Sequence, residues 1–205
     1  MNKMILLLPV CLFMMNGVVF ANKNFQQIDR FFDVAFQHAR NYPPEFDSAD
    51  QRAALEKELM GTIAQLEKII KDSGPDQDVF FRLGKAHTFA YNLDIRGSKI
   101  AADKNFKKLF EMEKNHAQGH LYYGQHIVGR GESERGIEHL QIAADAGWDV
   151  ALNMIGLAYL QTGQTDKARV SFQKLQKIYP PDRQIQMLLD SLEPDGAYEH
   201  ILMYE

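Results

Sequence analysis

The strongest constraint on this chain is a recurrence built on three glycines, Gly84, Gly124 and Gly156. Gly156 is followed by Tyr159, Gly163, Ala168, Phe172, Leu175 and Pro180, and is preceded by Leu152 and Ile155. Gly124 repeats this spacing with Tyr123 before it and Ile127, Gly131, Gly136, Leu140 and Ala143 after it. Apolar residues three and four apart lie on one face of a helix, so each unit reads as two helices joined at Gly131 or Gly163. A glycine midway along the first helix, facing a small residue on the second, lets two backbones approach closely, while the large residues fill the space beside the crossing. A single pair leaves one apolar face uncovered, and stacking successive pairs buries it.

The unit around Gly84 keeps Phe80, Leu83 and His87 in place, but Ala102 and Phe106 follow six residues later than their counterparts in the other units. The excess is expected in the turn between the two helices. Phe89 to Arg96 would prolong the first helix, Gly97 end it and Ser98 cap the second, giving a projecting hairpin. Between the Gly124 and Gly156 units the join is shortened to Ala143-Ala144-Asp145-Ala146-Gly147-Trp148-Asp149-Val150-Ala151. This register resembles the tetratricopeptide repeat (TPR) over residues 77–182, in units of about 77–116, 117–148 and 149–182, and the shortened join resembles the inter-repeat turn of Sel-like repeats. The resemblance implies an all-α fold: a right-handed α-solenoid of TPR-like helix pairs with a C-terminal capping helix.

Residues 22–76 read as a degenerate N-terminal helix pair. Phe25, Ile28, Phe32, Ala35, Phe36 and Ala39 form one stripe, and after Tyr42-Pro43-Pro44 a second helix opens at Ser48, with Gln51 in capping-box spacing. It carries Leu55, Leu59, Ile63, Leu66 and Ile70 to a stop at Ser73-Gly74-Pro75. Residues 183–205 read as the capping helix, opened by Pro180-Pro181-Asp182 and carrying Ile185, Leu188, Leu189 and Leu192, followed by a tail from Glu193.

Residues 1–21 have the order of a secretory signal peptide: Lys3, an apolar run from Met4 to Met15, and the approach Val19-Phe20-Ala21. Cleavage is expected after Ala21, with a periplasmic or secreted product and no membrane span once the leader is gone; a retained anchor is the rival reading. Cys11, the only cysteine, lies in this segment, so the remainder has no thiol for a disulfide, a zinc-thiolate site or a nucleophile. Among 205 residues, 23 Lys and Arg stand against 27 Asp and Glu, a formal charge of −4, which offers no global basic field for a phosphate backbone. Nucleic acid is not an expected partner.

Catalytic patterns are few. Ser171-Phe172-Gln173-Lys174 has Ser-x-x-Lys spacing but lacks the Ser-Asp-Asn and Lys-Thr-Gly that accompany it in penicillin-recognising enzymes. Gly129-Arg130-Gly131 reads as a turn between helices, because no strand precedes it. His116 and His120 are one helical turn apart, but His126 lies about 240° further round the helix from His120. These are read as neutral surface histidines, His87 as a satisfied interior ring, and His38, His139 and His200 as lacking partners in spacing. No cofactor and no metal are expected.

The TPR resemblance implies a concave groove lined by one face of each first helix. In this register that face holds Asp78, Phe81, Lys85 and Phe89, then Gln118, Leu121, Gln125 and Val128, then Val150, Asn153, Leu157 and Gln161. The partner-binding candidates are Phe81, Lys85, Phe89, Leu121, Gln125, Asn153, Leu157 and Gln161. The family's carboxylate clamp uses a Lys and Asn framework, to which only Lys85 and Asn153 could contribute, so a neutral protein or peptide segment is the expected occupant. The leading expectation is a non-enzymatic, exported scaffold or adaptor serving a cell-envelope machine. The alternatives are a self-associating structural protein and, from the histidines alone, a metal-dependent hydrolase.

Overall fold

The computed structural model describes residues 10–179 and 183–192, with side chains from Phe25 onward. Among the described residues there are nine α-helices and no strand: α1 (Val10–Ala39), α2 (Ala49–Ser73), α3 (Gln77–Asn92), α4 (Ser98–Met112), α5 (Ala117–Gly129), α6 (Ser133–Asp145), α7 (Val150–Gln161), α8 (Thr165–Ile178) and α9 (Arg183–Ser191). Residues 1–9 of the expected leader, the expected helix start at Pro180-Pro181-Asp182 and the tail from Glu193, with His200, lie outside the described residues.

The three glycines mark the helix crossings. A Cβ on Gly84 would stand 2.8 Å from the Phe106 ring, and one on Gly124 2.7 Å from Leu140; Gly156 is pressed against Phe172 in the same way. Each glycine therefore meets the large residue that the register assigns to the second helix of its own pair, and in the Gly84 unit the six extra residues are absorbed without losing the crossing. Phe106, Leu140 and Phe172 are fully buried, each stabilising by roughly 2–3 kcal/mol through the apolar surface it hides.

The insertion is spread along the hairpin. α3 runs eight residues past Gly84, whereas α5 and α7 run five past Gly124 and Gly156. The turn from Leu93 to Gly97 is two residues longer than its counterparts, and α4 begins one residue further ahead of its small residue, Ala102. Leu93, not Gly97, caps α3; Gly97, at φ 85°, stands at the N-cap of α4, and Ser98 is the first residue inside that helix, buried and without the expected capping bond. Asp94 and Gly97 both have positive φ, which turns the chain back sharply and leaves the capping to backbone groups.

The capping box at α2 is modified in a similar way. Ser48 Oγ accepts from Gln51 N–H, but Gln51 Oε1 accepts from Asp47 N–H at 2.8 Å, one residue earlier than in the standard reciprocal arrangement. The joins between units close tightly: Trp148 N–H donates to Ala143 O at 3.0 Å around Gly147, whose φ is 89°.

One core runs through α1 to α5 around Phe32, Leu59, Leu66, Phe89 and Phe106, and smaller ones lie around Leu140 and Ile155 and around Phe172 and Leu189. Ile185, Leu189 and Leu192 of the α9 segment cover the last pair, with Arg169 donating to Leu192 O.

Gly156→Ala should lower stability by about 1–3 kcal/mol, because the new methyl is forced against Phe172. Gly61→Ala, where nothing stands within 4 Å in mid-α2, should raise it by about 0.5–1 kcal/mol through helix propensity. Urea denaturation of both variants checks the contrast; equal effects would contradict the crossing.

Candidate functional site

The groove positions fall into three register-equivalent sets: Phe81, Leu121 and Asn153; Lys85, Gln125 and Leu157; Phe89, Gly129 and Gln161. Their exposure rises along the chain. Phe81, Lys85 and Phe89 are buried in the first unit; Leu121 is buried and Gln125 half-buried in the second; Asn153 is half-buried and Leu157 and Gln161 exposed in the third.

The N-terminal end of the groove is covered by α1. The Phe32 ring lies 5.9 Å from that of Phe89. The Lys85 ammonium sits between two rings, 5.1 Å from Phe32 and 4.6 Å from Tyr122. Arg82 bonds both oxygens of Asp29, at 3.0 and 2.7 Å, and lies over Phe25. Asn92 donates to the carbonyls of Ala39 and Arg40, so the end of α1 is tied to the end of α3. Phe81 is enclosed by Tyr122 and His116, at 5.7 and 5.2 Å.

These contacts correct the expected lining. Phe81, Lys85, Phe89 and Leu121 are interior residues: α1 and the rings of Phe32, Tyr122 and His116 lie over the first three, and Leu121 packs with Leu140 and Ala143 of α6 and Ala151 and Ile155 of α7. The accessible surface is the C-terminal half: Gln125, Asn153, Leu157 and Gln161, with Val150. Leu157 is 41% exposed and Val150 48%. Gln161 Oε1 accepts from Ser133 Oγ at 3.1 Å, which fixes the amide and leaves its NH2 outward. Neither Gln125 nor Asn153 has a side-chain hydrogen bond among the described residues, so both amides can meet a backbone. Lys85 and Asn153 stand on opposite sides of this boundary, so they form no common clamp.

The histidines also differ from expectation. His116 is the N-cap of α5, its Nδ1 accepting from Gly119 N–H at 2.9 Å. His120 and His126 are buried, not on the surface. His120 pairs with His139, Nδ1 to Nδ1 at 2.7 Å, while its Nε2 lies 2.9 Å from Lys114 O. A carbonyl can only accept, so His120 carries its proton on Nε2, and His139 donates from Nδ1. His126 Nε2 faces Arg130 Nη1 at 3.3 Å, and its ring meets Tyr91 edge-on. His38 bridges Glu45 O and Gln51 and stacks on Phe46. His87 is half-buried with Nδ1 unpartnered, contrary to the satisfied ring expected.

His116, His120 and His126 are thus committed in three directions, and no group of three or more metal-ligating side chains converges among the described residues. Ser171 donates its hydroxyl to Lys167 O at 3.0 Å and is buried, so the Ser-x-x-Lys spacing brings no nucleophile to the surface. Among the described residues no helix is long and apolar enough to cross a membrane.

No protein-family model matches the sequence, and no curated protein matches it. Solved structures do. The crystal structure of MamA matches with a TM-score of 0.58 at 21% identity, over 72% of this chain and 84% of that one. TTC0263, a thermophilic TPR protein of Thermus thermophilus, matches with a TM-score of 0.56 at 15% identity, over 71% and 81%. The chain has the TPR-like α-solenoid fold.

Burial, with Arg130 beside it, pushes His126 down to about 4; burial, with His120 and Arg135, does the same to His139. Burial also lowers His120 and His87. The unfolded chain takes up these protons below about pH 6.5, whereas in the folded one all four histidines resist them to lower pH, His126 and His139 until about pH 4. Stability should therefore be complete above pH 7 and fall as pH drops from 6.5 to 4, with His126 alone accounting for up to roughly 3 kcal/mol. Urea midpoints across this range test it; a flat profile between pH 5 and 6.5 would contradict it.

Proposed function

We propose that this chain is an exported, non-enzymatic scaffold that holds an uncharged, extended segment of a protein partner in the C-terminal half of its concave face. The observation that carries this reading is the gradient of exposure along the groove: closed over Lys85, half-open at Gln125 and open at Leu157. The open part offers apolar area at Val150 and Leu157 and amides at Gln125, Asn153 and Gln161. Side-chain anchors beside free amides suit a segment whose backbone needs hydrogen bonds and whose side chains are neutral. No Asp, Glu, Lys or Arg stands among these five residues.

The leader order of residues 1–21 supports export, and a thiol-free remainder suits an oxidising compartment. An assembly or regulatory role in the cell envelope is the reading that joins this address to a binding platform.

Leu157→Glu puts a charge on the exposed groove surface without touching the core, so it should abolish capture of the native partner from envelope extract while helical circular dichroism stays unchanged. Leu121→Glu would be uninformative, because that side chain is interior. Unaltered capture by the Leu157 variant would refute the groove assignment. Mass spectrometry of the exported chain should give an N-terminus at Asn22; a protein still carrying residues 1–21 would refute cleavage after Ala21.

A further inference from the structure

The groove is built from first helices; a separate cleft of about 670 Å³ opens between the second helices α4 and α6. One wall is a single face of α4, carrying Ile100, Asp103, Lys104, Lys107, Phe110 and Glu111. The other wall is Arg135 and His139 of α6, and Tyr123 of α5 also lines the cleft.

Its charge is unbalanced. Both lining carboxylates are engaged: Asp103 bonds Arg130 at 2.7 Å and Glu111 bonds Lys108 at 2.8 Å. Lys104 and Lys107 have no ion pair among the described residues. Arg135 shares Glu132 with Arg130 and Lys99, so one carboxylate serves three cations. The lining thus holds three cations, Lys104, Lys107 and Arg135, against two carboxylates, a positive surplus on a chain of net charge −4.

The cleft also has a hydrogen-bond acceptor and apolar surface. Because His139 donates from Nδ1 to His120, its neutral ring keeps a bare Nε2. Phe110 stacks on His120 at 4.2 Å and on His139 at 5.5 Å, which fixes that ring. Ile100 is 75% exposed at the rim. Cations call for anionic groups, and a lone-pair acceptor calls for a hydrogen-bond donor, which a fully ionised anion such as sulfate lacks. A polypeptide with acidic side chains has both. From Ile100 to Glu111 the α4 wall spans roughly 17 Å at 1.5 Å per residue, the length of about five extended residues.

We propose that the cleft between α4 and α6 is a second docking surface, which takes an extended acidic segment of a protein partner. Lys104 and Lys107 pair with its carboxylates, His139 accepts a backbone N–H, and Phe110 and Ile100 cover an apolar or aromatic side chain. The surface shares no residue with the groove, so the two can be occupied together.

The test uses fluorescence anisotropy of the full chain with the labelled, end-capped peptide Glu-Asp-Tyr-Glu-Asp and its neutral counterpart Gln-Asn-Tyr-Gln-Asn. The acidic peptide should bind and the neutral one should not, with binding weakened by added salt. The Lys104→Glu/Lys107→Glu double variant, changed only at exposed positions, should lose about tenfold or more in affinity with its circular dichroism intact. Leu157→Glu should bind the acidic peptide as the native chain does, so failure here and failure of the groove reading are distinguishable. Equal binding of the two peptides, no binding of either, unchanged binding by the double variant, or inorganic phosphate binding as tightly as the acidic peptide would overturn the proposal.

Discussion

Everything in this structure depends on helix crossings at which a glycine receives a large side chain of the next helix in the space a Cβ would fill. At Gly84, Gly124 and Gly156 there is no room for a Cβ, and the space is filled by Phe106, Leu140 and Phe172. The interior of a protein is packed like a crystal, so such a fit sets the distance between two helices within narrow limits. Three crossings of one kind give three helix pairs of one shape. Stacking those pairs aligns their first helices on one side and their second helices on the other. Both candidate surfaces, the groove and the cleft, follow from that alignment.

The groove does not repeat as its scaffold does. In the first unit the expected lining is spent on α1, where Phe32 reaches Phe89 and Lys85 is held between two rings. By the third unit, among the described residues, Asn153 is half-buried and Leu157 and Gln161 are exposed. A periodic backbone thus carries an aperiodic surface, closed at one end and open at the other. This asymmetry gives a partner segment a defined place along the array.

The repeat and the six-residue insertion were both legible in the sequence because they rest on spacing, and spacing decides which residues share a helix face. How the insertion is divided among α3, the turn and α4 was not legible, since that depends on backbone turns at Asp94 and Gly97. The burial of Phe81, Lys85 and Leu121 was hidden for a related reason: a register gives a residue's direction, not what lies in that direction. The pairing of His120 with His139 joins positions nineteen residues apart on different helices. A signal for it did exist, because His120 occupies the core position filled by Phe80 and Leu152 in the other units, where an imidazole needs a polar partner.

The most direct measurement of the account is thiol reactivity at three register-equivalent sites. In a Cys11→Ser background, single cysteines at positions 85, 125 and 157 can be labelled with a maleimide under native conditions. The account predicts rates that rise in the order 85, 125, 157, in step with the opening of the groove. Equal rates at the three sites, or fastest labelling at 85, would contradict it.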